Sequence, residues 1–206
     1  MTLAYRIAGA PAKEDIVDRF GIDPTPSEAP TLQAILNFER VWKGTGSGRY
    51  SNGMWPVLYT AEDVDTAVVE RGYWVFHGAA VKVRKDKEFP HVQYTMELSG
   101  MCSSAFRPDG SYDPQFVHPS DYSFCHGFAA TAISGGVDYL RVPSARSKRG
   151  VCLPVLKEVS ARFVAAGAGI VAEPVVFCWY AGASVFKCKV GGRELDVTFD
   201  DVFGKL

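Results

Sequence analysis

Several signatures are missing from this chain, and each absence removes a class of protein. The five cysteines (Cys102, Cys125, Cys152, Cys178 and Cys188) show no CxxC spacing. A zinc ribbon or thioredoxin-like motif is therefore not written here, and the odd count suits buried or incidental thiols in a reducing, cytoplasmic compartment. The four histidines show no HExxH and no pairing with cysteine, so no metal is expected. No apolar run reaches about 18 residues without a charge, the length a membrane helix needs. The stretch from Met1 to Phe20 lacks an apolar h-region and carries Lys13, Glu14, Asp15 and Asp18, so it does not read as a signal peptide. Neither sign of charge dominates. Lys and Arg total 22, Asp and Glu 23, and the net charge is -1, which argues against direct binding to nucleic acid through bulk charge. There is no internal repeat and no low-complexity tract.

What is present is enough for one packed core. Of 206 residues, 47% are hydrophobic and 22% charged. Thirteen Phe, nine Tyr and four Trp supply packing and flat rings for stacking. Residues 1–30 read as an N-terminal extension, with a helix over Glu14–Phe20 broken by Gly21-Ile22-Asp23-Pro24-Thr25-Pro26, and residues 31–206 as the main domain. Leu32 to Trp42 is predicted helical in its first half and strand-like from Phe38. Gly44 to Gly48 reads as a flexible loop, and Val57–Thr60 as a strand.

Thr60-Ala61-Glu62-Asp63 has the form of a helix start, with Val64, Ala67 and Val68 on one face. Glu70 is placed near the C-terminal end of that helix, where the dipole disfavours a carboxylate. His91–Leu98 alternates as a half-buried strand. Arg107–Ser120 is a polar surface loop, Tyr122–Ser134 a helix stopped by Gly135-Gly136, and Tyr139–Val142 a short strand. Ser160–Ala166 is predicted helical. Val175–Tyr180, Ser184–Val190 and Glu194–Phe199 read as strands, the last two joined through Gly191-Gly192. Helices and strands mix without regular βαβ alternation. The fold class is therefore α+β, a single domain with a mixed or antiparallel sheet core and flanking helices.

Three side chains stand out between positions 49 and 70. Arg49 follows a glycine-rich loop, and its planar fork suits phosphate oxygens, although on the residues alone the favoured reading is an exposed surface arginine. Tyr59 sits in a predicted strand, either packed in the core or presenting its ring and hydroxyl to a ligand. Glu70 lies among Val68, Val69, Tyr73 and Trp74, so it is either on an exposed face or held for chemistry. Gly44-x-Gly46-x-Gly48 is not a dinucleotide-fold fingerprint, because a Tyr-Ser-Asn-Gly turn follows it instead of a long helix. Ser144, in Leu140-Arg141-Val142-Pro143-Ser144-Ala145-Arg146, has no GxSxG elbow. It reads as a hydrogen-bonding residue toward a substrate or Glu70, or as the close of a turn after proline. The basic sets Arg141, Arg146, Lys148, Arg149 and Lys82, Arg84, Lys85, Lys87 read as anion-binding or merely solvated.

The run Gly48-Arg49-Tyr50-Ser51-Asn52 through Pro56-Val57-Leu58-Tyr59-Thr60-Ala61 to Glu70 resembles the RES-domain family, as does the segment from His126 to Arg146. Together the two blocks span residues 38–157. The family often carries Gly-Gly-Arg-Trp-Asn where this chain has Ser47-Gly48-Arg49-Tyr50-Ser51-Asn52. The resemblance implies an ADP-ribosyltransferase-like fold and a toxin that consumes NAD as substrate, partnered by an Xre-type helix-turn-helix antitoxin and expected to be a homodimer. It further implies catalytic roles for Arg49, Tyr59 and Glu70, with Tyr50, Asn52 and Ser144 binding substrate. Cleavage of a nicotinamide–ribose bond builds an oxocarbenium-like sugar, and one carboxylate can stabilise it because nicotinamide leaves neutral. The acceptor could be water, phosphate or a protein side chain. The alternative is a non-catalytic module that holds a nucleotide or an acidic partner on the basic loop 141–149.

Overall fold

The computed structural model describes residues 1–80, 85–167, 169–180 and 185–197. The main sheet is antiparallel and centred on the long strand β4 (Lys87–Leu98). On one side β4 pairs with β1 (Thr2–Gly9), register Thr2 to Leu98 through Gly9 to His91. On the other side it pairs first with β11 (Ala172–Tyr180) and then, beyond the end of β11, with β8 (Ala161–Phe163). Two further strands, β12 (Val185–Val190) and β13 (Arg193–Val197), extend the sheet past β11 through a hairpin. Gly191 and Gly192 turn that hairpin with φ of 53° and 73°, the left-handed values a two-residue turn needs. Residues 1–30, read as an extension, thus place an edge strand in the main sheet.

Two helices cover opposite faces of this sheet. One is α2 (Ala29–Lys43), which follows the short α1 (Lys13–Phe20). Phe38, Val41 and Trp42 pack with Ala34 against Val92, Tyr94, Met96 and Leu98. Positions 34, 38, 41 and 42 share a helical face, so the strand expected from Phe38 is instead the second half of one helix. On the other face α3 (Val64–Ala80) packs Val68 and Phe76 against Ile7, Val175 and Phe177. Covered on both sides, β4 is buried without interruption from His91 to Met96, not half-buried as its alternation suggested.

Helix α3 differs from expectation at both ends. Its cap is Asp63, whose carboxylate accepts from the Thr66 amide at 2.6 Å and hydroxyl at 2.8 Å. Thr60 instead donates to the Leu153 carbonyl at 2.5 Å. The helix also runs through Gly72, where a Cβ would lie 3.2 Å from the Phe76 ring. Glu70 is therefore mid-helix, and no dipole conflict exists there.

A smaller layer holds β5 (Cys102–Ser104), β6 (Tyr139–Pro143) and β7 (Val151–Cys152), with β5 and β6 parallel. Helix α4 (Ser123–Ser134) covers it and packs Cys125, Ala129 and Ala132 with Tyr50, Phe116, Leu140 and Val142. Between the two layers, residues 58–62 run extended, bonded both ways. Ala61 exchanges backbone bonds with Tyr5 of β1 at 2.8 and 2.9 Å, while Leu58, Thr60 and Glu62 bond to Val155, Leu153 and Val151. The strand expected at Val57–Thr60 is thus a chain of single bridges. The expected helix at Ser160–Ala166 is a 3-10 turn at Glu158–Ser160, then β8 and β9 (Ala165–Ala166), which pairs with β10 (Gly169–Ile170). Lys82, Arg84, Ser184 and the end of the expected last strand at Phe199 lie outside the described residues. No described helix is long and apolar enough to cross a membrane.

His91 on β4 makes a stability prediction. It is 6% exposed, and burial lowers its pKa to about 4. The unfolded chain binds this proton more readily, so the contribution is whole above about pH 6.5 and is lost as pH falls toward 4. Urea denaturation of wild type and His91→Gln at pH 7 and pH 4.5 should show the wild type losing about 2 kcal/mol more than the variant over that interval. Parallel slopes in the two proteins would refute it.

Candidate active site

A cavity of about 350 Å³ opens where the two layers meet, within the size range of small-molecule sites. One wall is a face of α3, where Ala67, Glu70, Arg71 and Trp74 follow helical spacing. The others come from β1 (Tyr5, Arg6, Ile7), the segment 47–61, Tyr122 before α4, and Pro143 to Cys152. The 47–61 segment begins with the minute hairpin of β2 (Ser47–Gly48) and β3 (Ser51–Asn52).

Glu70 is fixed through one oxygen. Its Oε1 accepts from the Ser144 hydroxyl at 2.5 Å, from the Ala145 amide at 3.1 Å and from the Cys152 thiol at 3.7 Å. Burial pushes the Cys152 thiol well up, followed by the charge of Glu70 itself, so it stays a protonated donor. Oε2 has no hydrogen-bond partner among the described residues. A carboxylate held this way keeps its charge in a set direction and leaves one oxygen for a ligand.

Ser144 is 5% exposed and stands behind Glu70, not on the cavity wall. Besides donating to Glu70, its oxygen accepts from the Arg146 amide at 3.1 Å and the Ser147 amide at 2.8 Å. The turn closes with Ser144 N to Gly150 O at 2.8 Å. Gly150 has no substitute there, since a Cβ would lie 2.6 Å from Thr66 Oγ1. Both sequence readings of Ser144 therefore hold together: it closes a turn and it aims Glu70.

Tyr59 is 37% exposed and its hydroxyl accepts from the Tyr50 amide at 3.0 Å. A Cβ on Gly48 would come 2.5 Å from that hydroxyl, so glycine is required for the close approach. Burial raises the phenol to about 12, which keeps its proton in place to donate. Tyr50 itself is 2% exposed, its ring in the α4 core, and it contributes its amide to this contact. Asn52 does not line the cavity; its side-chain oxygen accepts from the Met54 amide and caps a turn.

Arg49 Nη1 donates to the carbonyls of Phe116 at 3.0 Å and His118 at 2.8 Å, and its guanidinium lies 4.5 Å from the Tyr122 ring centroid. The segment that carries it is held by His126, whose Nε2 bonds to Gly48 O at 2.8 Å. Arg6 Nη1 donates to Tyr59 O at 2.8 Å, and Arg146 stacks 3.5 Å over the Tyr73 ring. Arg6, Arg49, Arg71 and Arg146 all line the cavity, and none forms an ion pair among the described residues. Glu70 is the one carboxylate on its wall among those residues.

The basic loop divides. Arg141 forms a two-point bond to Glu62 at 2.6 and 3.2 Å, Arg146 turns to the cavity, and Lys148 and Arg149 are exposed. Loop 141–149 is thus no single cationic patch. Sequence reasoning missed Arg6, Arg71, Trp74, His126 and Cys152. Trp74 is four residues past Glu70 and was reachable by helical spacing, while Arg6, His126 and Cys152 are gathered only by the fold.

The chain belongs to the RES-domain family: the family's profile, described as "RES domain", matches residues 32–176. Comparison with curated proteins found no match. Among solved structures, the chain is similar to one described as "Crystal structure of the M.tuberculosis MbcT-MbcA toxin-antitoxin complex", at 17% identity and a TM-score of 0.48, covering 96% of this chain and 84% of that one. Among the described residues, no three His, Cys, Asp or Glu side chains are grouped to hold a metal ion.

Ser144→Ala removes a donor from Glu70 and strands two amides. The variant should be less stable by about 1–3 kcal/mol in urea denaturation. An unchanged midpoint would show that the turn does not depend on this hydroxyl.

Proposed function

We propose that this RES-domain protein is a toxin that binds NAD and cleaves its nicotinamide–ribose bond. The observation that carries the reading is a cavity lined, among the described residues, by four arginines without ion-pair partners and a single carboxylate fixed through one oxygen. A dinucleotide has the complementary charges. Its pyrophosphate matches arginine forks, and its reacting ribose turns cationic as the bond breaks. Trp74, 54% exposed on the rim, offers a face for a flat ring.

In this mechanism Arg49 grips the pyrophosphate and Arg6 adds positive charge beside it. Tyr59 donates its hydroxyl proton at the ribose–nicotinamide end. Glu70 Oε2 faces the ribose and stabilises the cation. The C1′–N bond breaks with its electron pair leaving on the nicotinamide nitrogen, so no acid is needed. The ribose carbon then takes an oxygen from water, phosphate or a protein side chain, and the acceptor's proton passes to Glu70 or solvent. Ser144 and Cys152 hold Glu70 in place throughout. Loss of NAD would arrest growth, and an Xre-type antitoxin would silence the toxin by covering the cavity. Assembly as a homodimer and residence in the cytoplasm belong to the same proposal.

Nicotinamide release by purified protein tests the reading, with and without inorganic phosphate. Glu70→Gln should fold normally and lose at least about 100-fold in turnover, since it removes charge developed against in the transition state. Expression of wild type should halt growth and of Glu70→Gln should not. Full turnover and toxicity in Glu70→Gln would sink the assignment.

A further inference from the structure

The function proposed above does not account for Arg71. Next to Glu70 on α3, it points its Nε–H at His91 Nε2, 2.9 Å away. His91 Nδ1 lies 3.0 Å from the Phe89 carbonyl, which can only accept, so Nδ1 carries the proton and Nε2 is the acceptor. The imidazole is also gripped edge-to-face by Phe177, with centroids 4.9 Å apart at 80°. A neutral, immobile ring thus takes Nε and leaves the two Nη groups of Arg71 without a hydrogen-bond partner among the described residues. Partly burying a guanidinium that forms no ion pair among the described residues is costly. Burial indeed lowers the pKa of Arg71, and the charge of Arg6 lowers it further. A cavity that keeps two such cations together is poised for an anion.

The geometry points to Arg71, oriented by His91, as a second oxyanion subsite of the cavity, separate from Arg49, that takes a phosphate group. Arg49 is anchored by the Phe116 and His118 carbonyls and Arg71 by β4, so the two cations approach from different elements. The phosphate group is either free inorganic phosphate or a phosphate of the dinucleotide itself. This inference rests on the dinucleotide reading only for the second source.

Titration calorimetry in a phosphate-free buffer at constant ionic strength tests it, with potassium phosphate and ADP-ribose as separate probes. Wild type is compared with Arg71→Gln, His91→Leu and His91→Gln, each checked for folding by circular dichroism and thermal melting. Arg71→Gln should weaken one probe about tenfold or more. His91→Leu should weaken the same probe, and His91→Gln should recover part of the loss, because a glutamine oxygen can accept from Arg71. Loss of inorganic phosphate binding names the free anion as occupant, and loss confined to ADP-ribose names the dinucleotide's own phosphate. Equal affinities for both probes in wild type and Arg71→Gln, or no binding of either probe to wild type, would overturn the inference. Arg71-dependent phosphate binding in a protein that releases no nicotinamide would keep the subsite and discard the reaction.

Discussion

The cavity between the two layers depends on a short ribbon of backbone. Residues 58–62 are hydrogen-bonded to β1 on one side and to 151–155 on the other, and they join two layers that share no continuous sheet. Each bond satisfies a buried polar group that would otherwise cost more than it contributes when paired. The ribbon fixes Tyr59 at the cavity wall and delivers the chain to Asp63, which starts α3. Two helical turns later comes Glu70, and 74 residues further on comes the serine that bonds to it. The positions of Arg6, Tyr59, Glu70 and Cys152 all follow from this one brace.

Charge is distributed around that brace with a clear asymmetry. Outside the cavity, three arginines among the described residues pair with carboxylates: Arg19 with Glu39, Arg40 with Asp15 and Arg141 with Glu62. Inside it, they are held by carbonyls, rings and a neutral imidazole. These partners orient a guanidinium without cancelling its charge. Glu70 is treated in the same way, by a hydroxyl, an amide and a thiol in place of a cation. The interior therefore keeps its electrostatic potential available for a ligand, at a cost in stability that the surrounding apolar core offsets.

Much of this was legible in the sequence where the signal is local. The glycine before Arg49, the position of Tyr59, the carboxylate at 70 and the serine after Pro143 are local cues; the fold places Arg49, Tyr59 and Glu70 on one cavity and bonds Ser144 to Glu70. The Gly191-Gly192 hairpin and α4 were also readable, from turn chemistry and helical spacing. The errors have a common cause. Alternation over His91–Leu98 cannot report that a second helix covers the opposite face. Apolar residues at 38, 41 and 42 fit a short strand as well as a helical stripe until the sheet beneath them is known. The helix end expected near Glu70 lies further on, because α3 runs through Gly72 and packs it against Phe177, more than a hundred residues away. Arg6, His126 and Cys152 carry no local mark at all, since their roles are created by register and bridging between distant segments.

The brace also governs when the cavity can exist during synthesis. Arg6 leaves the ribosome first, yet its strand has no partners until β4 and residues 58–62 follow, and the far side of the ribbon waits for Leu153 and Val155. Such nonlocal pairing is slow to close, because the loop entropy is spent before the contacts reward it. A nascent chain with all of Arg49, Tyr59 and Glu70 already exposed still lacks the turn that aims the carboxylate. The cavity is thus incomplete until residues 144–155 have emerged and bonded to Glu70 and to the ribbon.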